Sequence, residues 1–221
     1  MRTNSLTRVI SAGVALLSLV WITTNPAGGC GPGFDPHPHE AVGMVMAHQA
    51  LKMHKTGGLI TVIKRDTAAF NNPAADAQFE SFSKVLKKAN VPIDSVRLIQ
   101  VDSLSPLAVP PGDFTEIIRK SGDNDVVVSF MGPPILDAAQ RATLPEKGGA
   151  QVIAFCPGNI PERSDLAGLI RDGMVQAAVI SKPNVAIGAN HPDSLQAWFD
   201  LLYQEVTPAN AATVLSTASK P

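Results

Sequence analysis

The chain has 221 residues, 45% of them hydrophobic, and a formal net charge of −1, enough for one ordinary globular domain with additions at its ends. Its lysines and arginines form no basic run and only 5% of residues are aromatic, so the electrostatic footprint of a nucleic-acid binder is missing. Two cysteines make no disulfide framework.

The first thirty residues differ in kind from the rest. Arg2 and Arg8 stand in a segment without acids, ahead of an apolar run over residues 9–22 that has the length of a signal-peptide core and is short for a membrane span. Residues 1–30 therefore read as a secretory signal or, alternatively, as an uncleaved N-terminal anchor. Either reading places the remainder outside the cytoplasm. Ala27, Gly28 and Gly29 lead into Cys30, and this run resembles the lipobox of bacterial lipoproteins, in which the cysteine is lipidated and becomes the mature N-terminus. A leucine is usual where Ala27 stands, so cleavage by the ordinary signal peptidase remains the competing expectation. Lipidation at Cys30 would anchor the protein to the membrane and leave Cys156 without a disulfide partner.

Residues 31–39 are glycine, proline and histidine with little to bury, and read as a tether. Asp35, His37, His39 and Glu40 gather metal-ligand types, but prolines hold such a segment extended and its side chains diverge, and no zinc spacing is present. No metal site is expected. From Glu40, the residues Val42, Met46, Ala50 and Met53 recur at helical spacing before Gly57 and Gly58 stop the helix.

Beyond that point strands and helices alternate. Residues 59–63 predict a strand, and residues 75–89 an amphipathic helix with Phe79, Phe82 and Leu86 on one face. Residues 96–101 predict a second strand. Asp113 and Glu116 have the spacing of a capping box for a helix that ends near Gly122. A third strand follows over 125–130, a helix from Pro133 to about Ala142, a fourth strand over 152–155, and a helix over 165–171 that stops at Gly173. Residues 174–180 predict a fifth strand and 194–205 a last helix. The domain is thus bounded at residues 40–206, with 207–221 as a C-terminal tail.

Near-continuous apolar strands separated by helices predict an α/β fold: a three-layer αβα sandwich with a five-stranded parallel sheet in the flavodoxin-like order 2-1-3-4-5. Every strand would then end on one edge, where such sheets hold ligands. That edge receives Lys64, Arg65 and Asp66, then Met131 and Gly132, then Cys156, Gly158 and Asn159, then Ser181 and Lys182. Asp66 and Asn71 are candidate ligand contacts by position, although Asp and Asn also favour that loop as turn and cap formers. No glycine-rich phosphate loop follows any strand, so no nucleotide cofactor is expected.

Residues 150–183 place a strand ending in Ala-Phe-Cys ahead of a helix closing on Ile-Arg-Asp-Gly and a strand running into Ser-Lys-Pro. This order resembles the C-terminal lobe of type I periplasmic sugar-binding proteins and their lactose-repressor-type relatives, and the resemblance extends over residues 35–205. It implies a solute-binding domain, of the kind that serves ABC transporters, with a small-molecule solute or a partner protein as its counterpart. The family has two lobes, and one would be missing here. The family's sugar-gripping arginine aligns with Asp76, its Asn-Asp pair with Met131 and Gly132, its aspartate with Cys156, and its glutamine with Ser181. These residues cannot reproduce that grip, so the resemblance implies an altered or lost sugar site. Asn159 completes the set of candidate ligand contacts.

Cys156 has two further readings. Most buried cysteines pack as small apolar residues. A nucleophilic thiolate would need a nearby base or a positive field, and His191 is the nearest candidate base. A third class of function, protein interaction, would show as an exposed apolar patch around Phe70, Met131, Pro133 and Pro134.

Overall fold

The computed structural model describes residues 33–68, 71–100, 108–142, 149–188 and 191–218. The signal segment, Cys30 and Phe70 lie outside the described residues. Contacts divide the chain into two units, Met1–Asp35 and Pro36–Pro221, and the second holds all the secondary structure discussed here.

Its elements in chain order are α1 (His37–Met53), β1 (Ile60–Arg65), α2 (Pro73–Lys88), β2 (Ser95–Ile99), α3 (Pro111–Lys120), β3 (Val126–Ser129), α4 (Ala138–Ala142), β4 (Gln151–Cys156), α5 (Ile160–Arg163), α6 (Leu166–Arg171), β5 (Ala177–Ser181), α7 (Leu195–Leu202), β6 (Tyr203–Val206) and α8 (Ala211–Ala218). The sheet has six strands in the order β2-β1-β3-β4-β5-β6. The first five are parallel in the expected 2-1-3-4-5 order, and β6 runs antiparallel to β5, with Ser181 opposite Tyr203 and Ala178 opposite Val206.

Alternation along the strands feeds two cores. Val152, Ala154 and Cys156 of β4 pack with Phe114 and Ile117 of α3, Ile160 of α5, and Leu166, Leu169 and Ile170 of α6. Ile153 and Phe155 face the opposite way, against Val42 and Met46 of α1, Phe82 of α2, and Trp198 and Phe199 of α7. Burial on both faces is what a parallel sheet requires.

α1 is the keystone of the second face. It lies between α2 and α7 and over the sheet, so Ala41, Val42, Gly43, Met46, Ala47 and Ala50 are all buried around most of its circumference. Small residues allow that close approach. A β-carbon at Gly43 would fall inside the radius of the Gln78 carbonyl oxygen of α2, an atom of backbone that cannot rotate aside. Local chemistry sets the helix ends: Asn72 caps α2 by accepting from the Ala75 amide at 3.1 Å, with Pro73 in the first turn, and Ser194 caps α7 by accepting from Ala197 at 3.1 Å. Asp165, at φ 49°, accepts from Gly168 at 3.1 Å to start α6.

Five local expectations are corrected. The helix predicted to open at Pro133 begins only at Ala138, because Pro133 and Pro134 are buried in the loop that folds back after β3. The last predicted helix stops at Leu202, because Tyr203 turns extended and pairs with β5 while burying its ring against Phe155 and Phe199. In the segment read as a tail, Ala211–Ala218 form α8. Asp113 does not cap α3: Pro111 begins that helix earlier, Asp113 lies within its first turn, and Glu116 reaches forward to Lys120 at 2.6 Å. His37 and His39 belong to α1 rather than to a tether.

Gly43→Ala should destabilise the domain by about 1–3 kcal/mol, the usual cost of overpacking a site that cannot relax. A urea titration monitored by circular dichroism checks this: the midpoint falls and the slope is unchanged.

Candidate functional site

The C-terminal ends of β1, β3, β4 and β5 form the edge at which this architecture places ligands. At the end of β1, Lys64 is largely buried, with its ammonium 4.5 Å from the centre of the Phe79 ring and 3.8 Å from the Asp76 carboxylate. Asp76 is thereby engaged from within the chain while remaining half exposed.

Asp66 is engaged more completely. Its carboxylate accepts from the Ala68 amide at 3.0 Å and from Gln100 at 3.1 Å, and its own amide donates to the Ile99 carbonyl. The Ala68 bond, then the Gln100 bond, hold its carboxyl below the ordinary aspartate range, and Lys64 adds to the effect. This is an Asx turn tied to the end of β2. Asn71 is exposed beside it, and its neighbour Asn72 is the one that caps α2.

After β3 the chain folds back into the protein. The Ser129 hydroxyl donates to the Gly132 carbonyl at 2.6 Å and accepts from the Met131 amide at 3.2 Å, and Gly132 takes φ 74° to make the reversal. Met131 is 0% exposed, and Pro133 and Pro134 are buried too. Met131, Pro133 and Pro134 therefore contribute no exposed apolar patch of the kind that would favour a protein partner at this edge; Phe70, the fourth residue of that patch, lies outside the described residues.

After β4, Cys156 is also 0% exposed, with its sulfur 3.9 Å from the Ala154 carbonyl, and burial pushes its thiol well above the ordinary value. His191 packs edge-to-face on Trp198, whose indole belongs to the core on the opposite face of the sheet from Cys156. Thiol and imidazole are separated by the sheet, so the conditions for a nucleophilic thiolate are not met. Asn159 is exposed at the start of α5 and makes no capping bond. Ser181 is half-buried at the end of β5 opposite Tyr203, and Lys182 beside it donates from its ammonium to the Asp200 carbonyl.

The structure thus brings together Asp66, Asp76, Lys64 and Gln100 around the end of β1. It sends Met131 and Cys156 into one core, and leaves Asn159 and Ser181 on separate loops. Sequence reading placed Lys64 on this edge without naming it as a contact, and missed Gln100; a lysine near the end of an apolar strand was the available signal. Among the described residues, no group of three or more metal-ligating side chains is arranged to hold an ion. A pocket of about 420 Å³ between α5, α6 and α8 is lined by helix residues, including Pro161, Glu162, Ala167 and Leu215, and by no strand end.

No protein-family model and no curated protein matches the sequence. Solved structures match in fold. A carbohydrate transporter solute-binding protein from Agrobacterium radiobacter, in complex with D-arabinose, superposes with a TM-score of 0.51 at 15% identity, over 83% of this chain and 63% of that one. A periplasmic ribose ABC transporter protein from Conexibacter woesei gives 0.48 at 12% identity over 80% and 60% of the two chains. The arabinose-binding protein AraP from Geobacillus stearothermophilus gives 0.47 at 14% over 79% and 62%. The chain spans less than two thirds of the length of each. This chain shares the fold of the Agrobacterium solute-binding protein in a partial and divergent form.

Burial of Cys156 has a measurable consequence. In a Cys30→Ala variant, the remaining thiol should resist Ellman's reagent until denaturant unfolds the chain. The folded thiol stays protonated above its ordinary value of 9.0, whereas the unfolded thiol ionises there, so stability present at neutral pH is lost as pH rises past 9.0. The loss should approach about 1.4 kcal/mol per pH unit and disappear from that range in Cys156→Ala, leaving the later contribution of Tyr203.

Proposed function

We propose that this chain is an exported, lipid-anchored domain with the solute-binding fold whose sugar site is closed. The observation that carries the reading is the complete burial of Met131 and Cys156, the two side chains that the sequence resemblance aligns with sugar-gripping polar residues. A further aligned position is committed elsewhere, Asp76 to Lys64, and Ser181 offers only a half-buried hydroxyl at the end of β5. A charged hydrogen bond to a sugar hydroxyl is worth about 1.5–3 kcal/mol, so losing two or three weakens binding by several powers of ten.

Support for export is the basic segment, the apolar run and the small residues before Cys30. A lipid at Cys30 is the anchor this reading assigns, on the strength of the small residues that lead into that cysteine.

Titration calorimetry with D-arabinose, D-ribose and D-galactose should show no saturable heat. A micromolar Kd for any of them, lost in Asp66→Ala or Asp76→Ala, would overturn the closed-site reading. Intact-mass analysis of membrane-extracted protein should find a chain beginning at Cys30 with added acyl mass. A soluble chain with an unmodified Cys30 would overturn the anchoring.

A further inference from the structure

The two edges of the sheet differ. On β6, Tyr203 and Val206 are buried, Gln204 and Glu205 are half-buried, and the Glu205 carboxylate is held by Gln49 of α1. On β2, three consecutive side chains, Val96, Arg97 and Leu98, are exposed, Val96 by 40% and Leu98 by 56%. Among the described residues β2 has β1 as its one neighbour in the sheet, which makes it an edge strand with an outer row of backbone donors and acceptors. An exposed apolar edge strand is a template for another strand, and proteins generally cover or charge such an edge.

Register assigns the faces. Val96 and Leu98 stand beside Val62 and Lys64 on the α1–α2 side, and Arg97 stands beside Ile63 on the other. Glu116 of α3 lies within Coulombic reach of Arg97 but is taken by Lys120 at 2.6 Å. Lys87 and Lys88 close α2 just upstream of the strand, and Arg119 and Lys120 close α3.

Charge selects the occupant. A second copy pairing antiparallel about a two-fold axis, with Val96 against Leu98, would set Arg97 directly opposite Arg97, and like charges directly opposite are destabilising. A foreign strand with a carboxylate at that position and apolar residues on either side meets all three exposed side chains. We propose that β2 is a docking edge for an extended segment of a partner protein with the pattern apolar-acidic-apolar, added to the sheet by main-chain hydrogen bonds. This surface is separate from the ligand edge, so it stands or falls independently of the closed sugar site.

The test is a nitrogen–proton NMR titration of the full chain with two capped probes, acetyl-Thr-Val-Glu-Val-Thr-amide and its twin with Lys in place of Glu. The acidic probe should shift the amides of residues 95–99 with saturation in the millimolar range, and the basic twin should bind several-fold more weakly. Leu98→Lys should abolish the response, and Arg97→Glu should reverse the order of the two probes while leaving the thermal midpoint of the domain unchanged. Three results would overturn the proposal: no shifts at β2 up to the solubility limit, equal response to both probes, or a concentration-dependent dimer that pairs through β2.

Discussion

A parallel sheet must be covered on both faces, and that requirement organises this molecule. Its connections cross from one end of the sheet to the other, so each strand brings a helix with it and neither face can be left to water. Here one face is closed by α3, α5, α6 and α8 and the other by α1, α2 and α7. The second cover works only because α1 is narrow where it meets α2. Gly43 brings backbone against backbone, and the alanines around it let α1 lie between two helices and on the sheet at once.

The same packing decides what the strand ends can do. An open α/β sheet leaves a crevice where the strand order reverses, here between β1 and β3. In this chain the β3 side of that crevice turns inward: Ser129 ties the Met131 amide and the Gly132 carbonyl into one small ring, and Met131 and the two prolines fill the space behind it. The β1 side is polar, but its two carboxylates have partners, Asp66 with Ala68 and Gln100, and Asp76 with Lys64. A ligand would have to displace internal bonds rather than complete unfinished ones. The edge strand is the reverse case: among the described residues it has one strand neighbour, and Val96 and Leu98 stay exposed.

Much of this was legible in the sequence, for physical reasons. Apolar runs such as Val126-Val127-Val128 and Val152-Ile153-Ala154-Phe155, bounded by glycine and proline, have no other comfortable home than buried parallel strands, and their regular alternation with helices prescribes the strand order. β6 escaped because Tyr203, Gln204 and Glu205 continue the helical spacing of Trp198 and Phe199; what converts them is pairing with β5, a contact between distant parts of the chain. The candidate site was legible as a set of positions but not as a set of states. Burial of Cys156 follows from its place at the end of an apolar central strand, and its packing as a small apolar residue was readable, whereas burial of Met131 depends on a loop folding back on a serine hydroxyl. Residues 96–101 read as a strand like the others, and the exposure of Val96, Arg97 and Leu98 follows only once β2 is last in line.

The central claim is that the β3 loop closes the ligand edge as part of the core. Native-state hydrogen exchange at the Met131 amide tests it most directly, because that proton is held by a buried hydroxyl only while the loop is folded inward. Exchange as slow as that of the Val127 and Ile153 amides, with an opening free energy near that of global unfolding, is the predicted result. Fast exchange at Met131 with the strands still protected would mean that the loop opens in the folded protein, and would contradict the account.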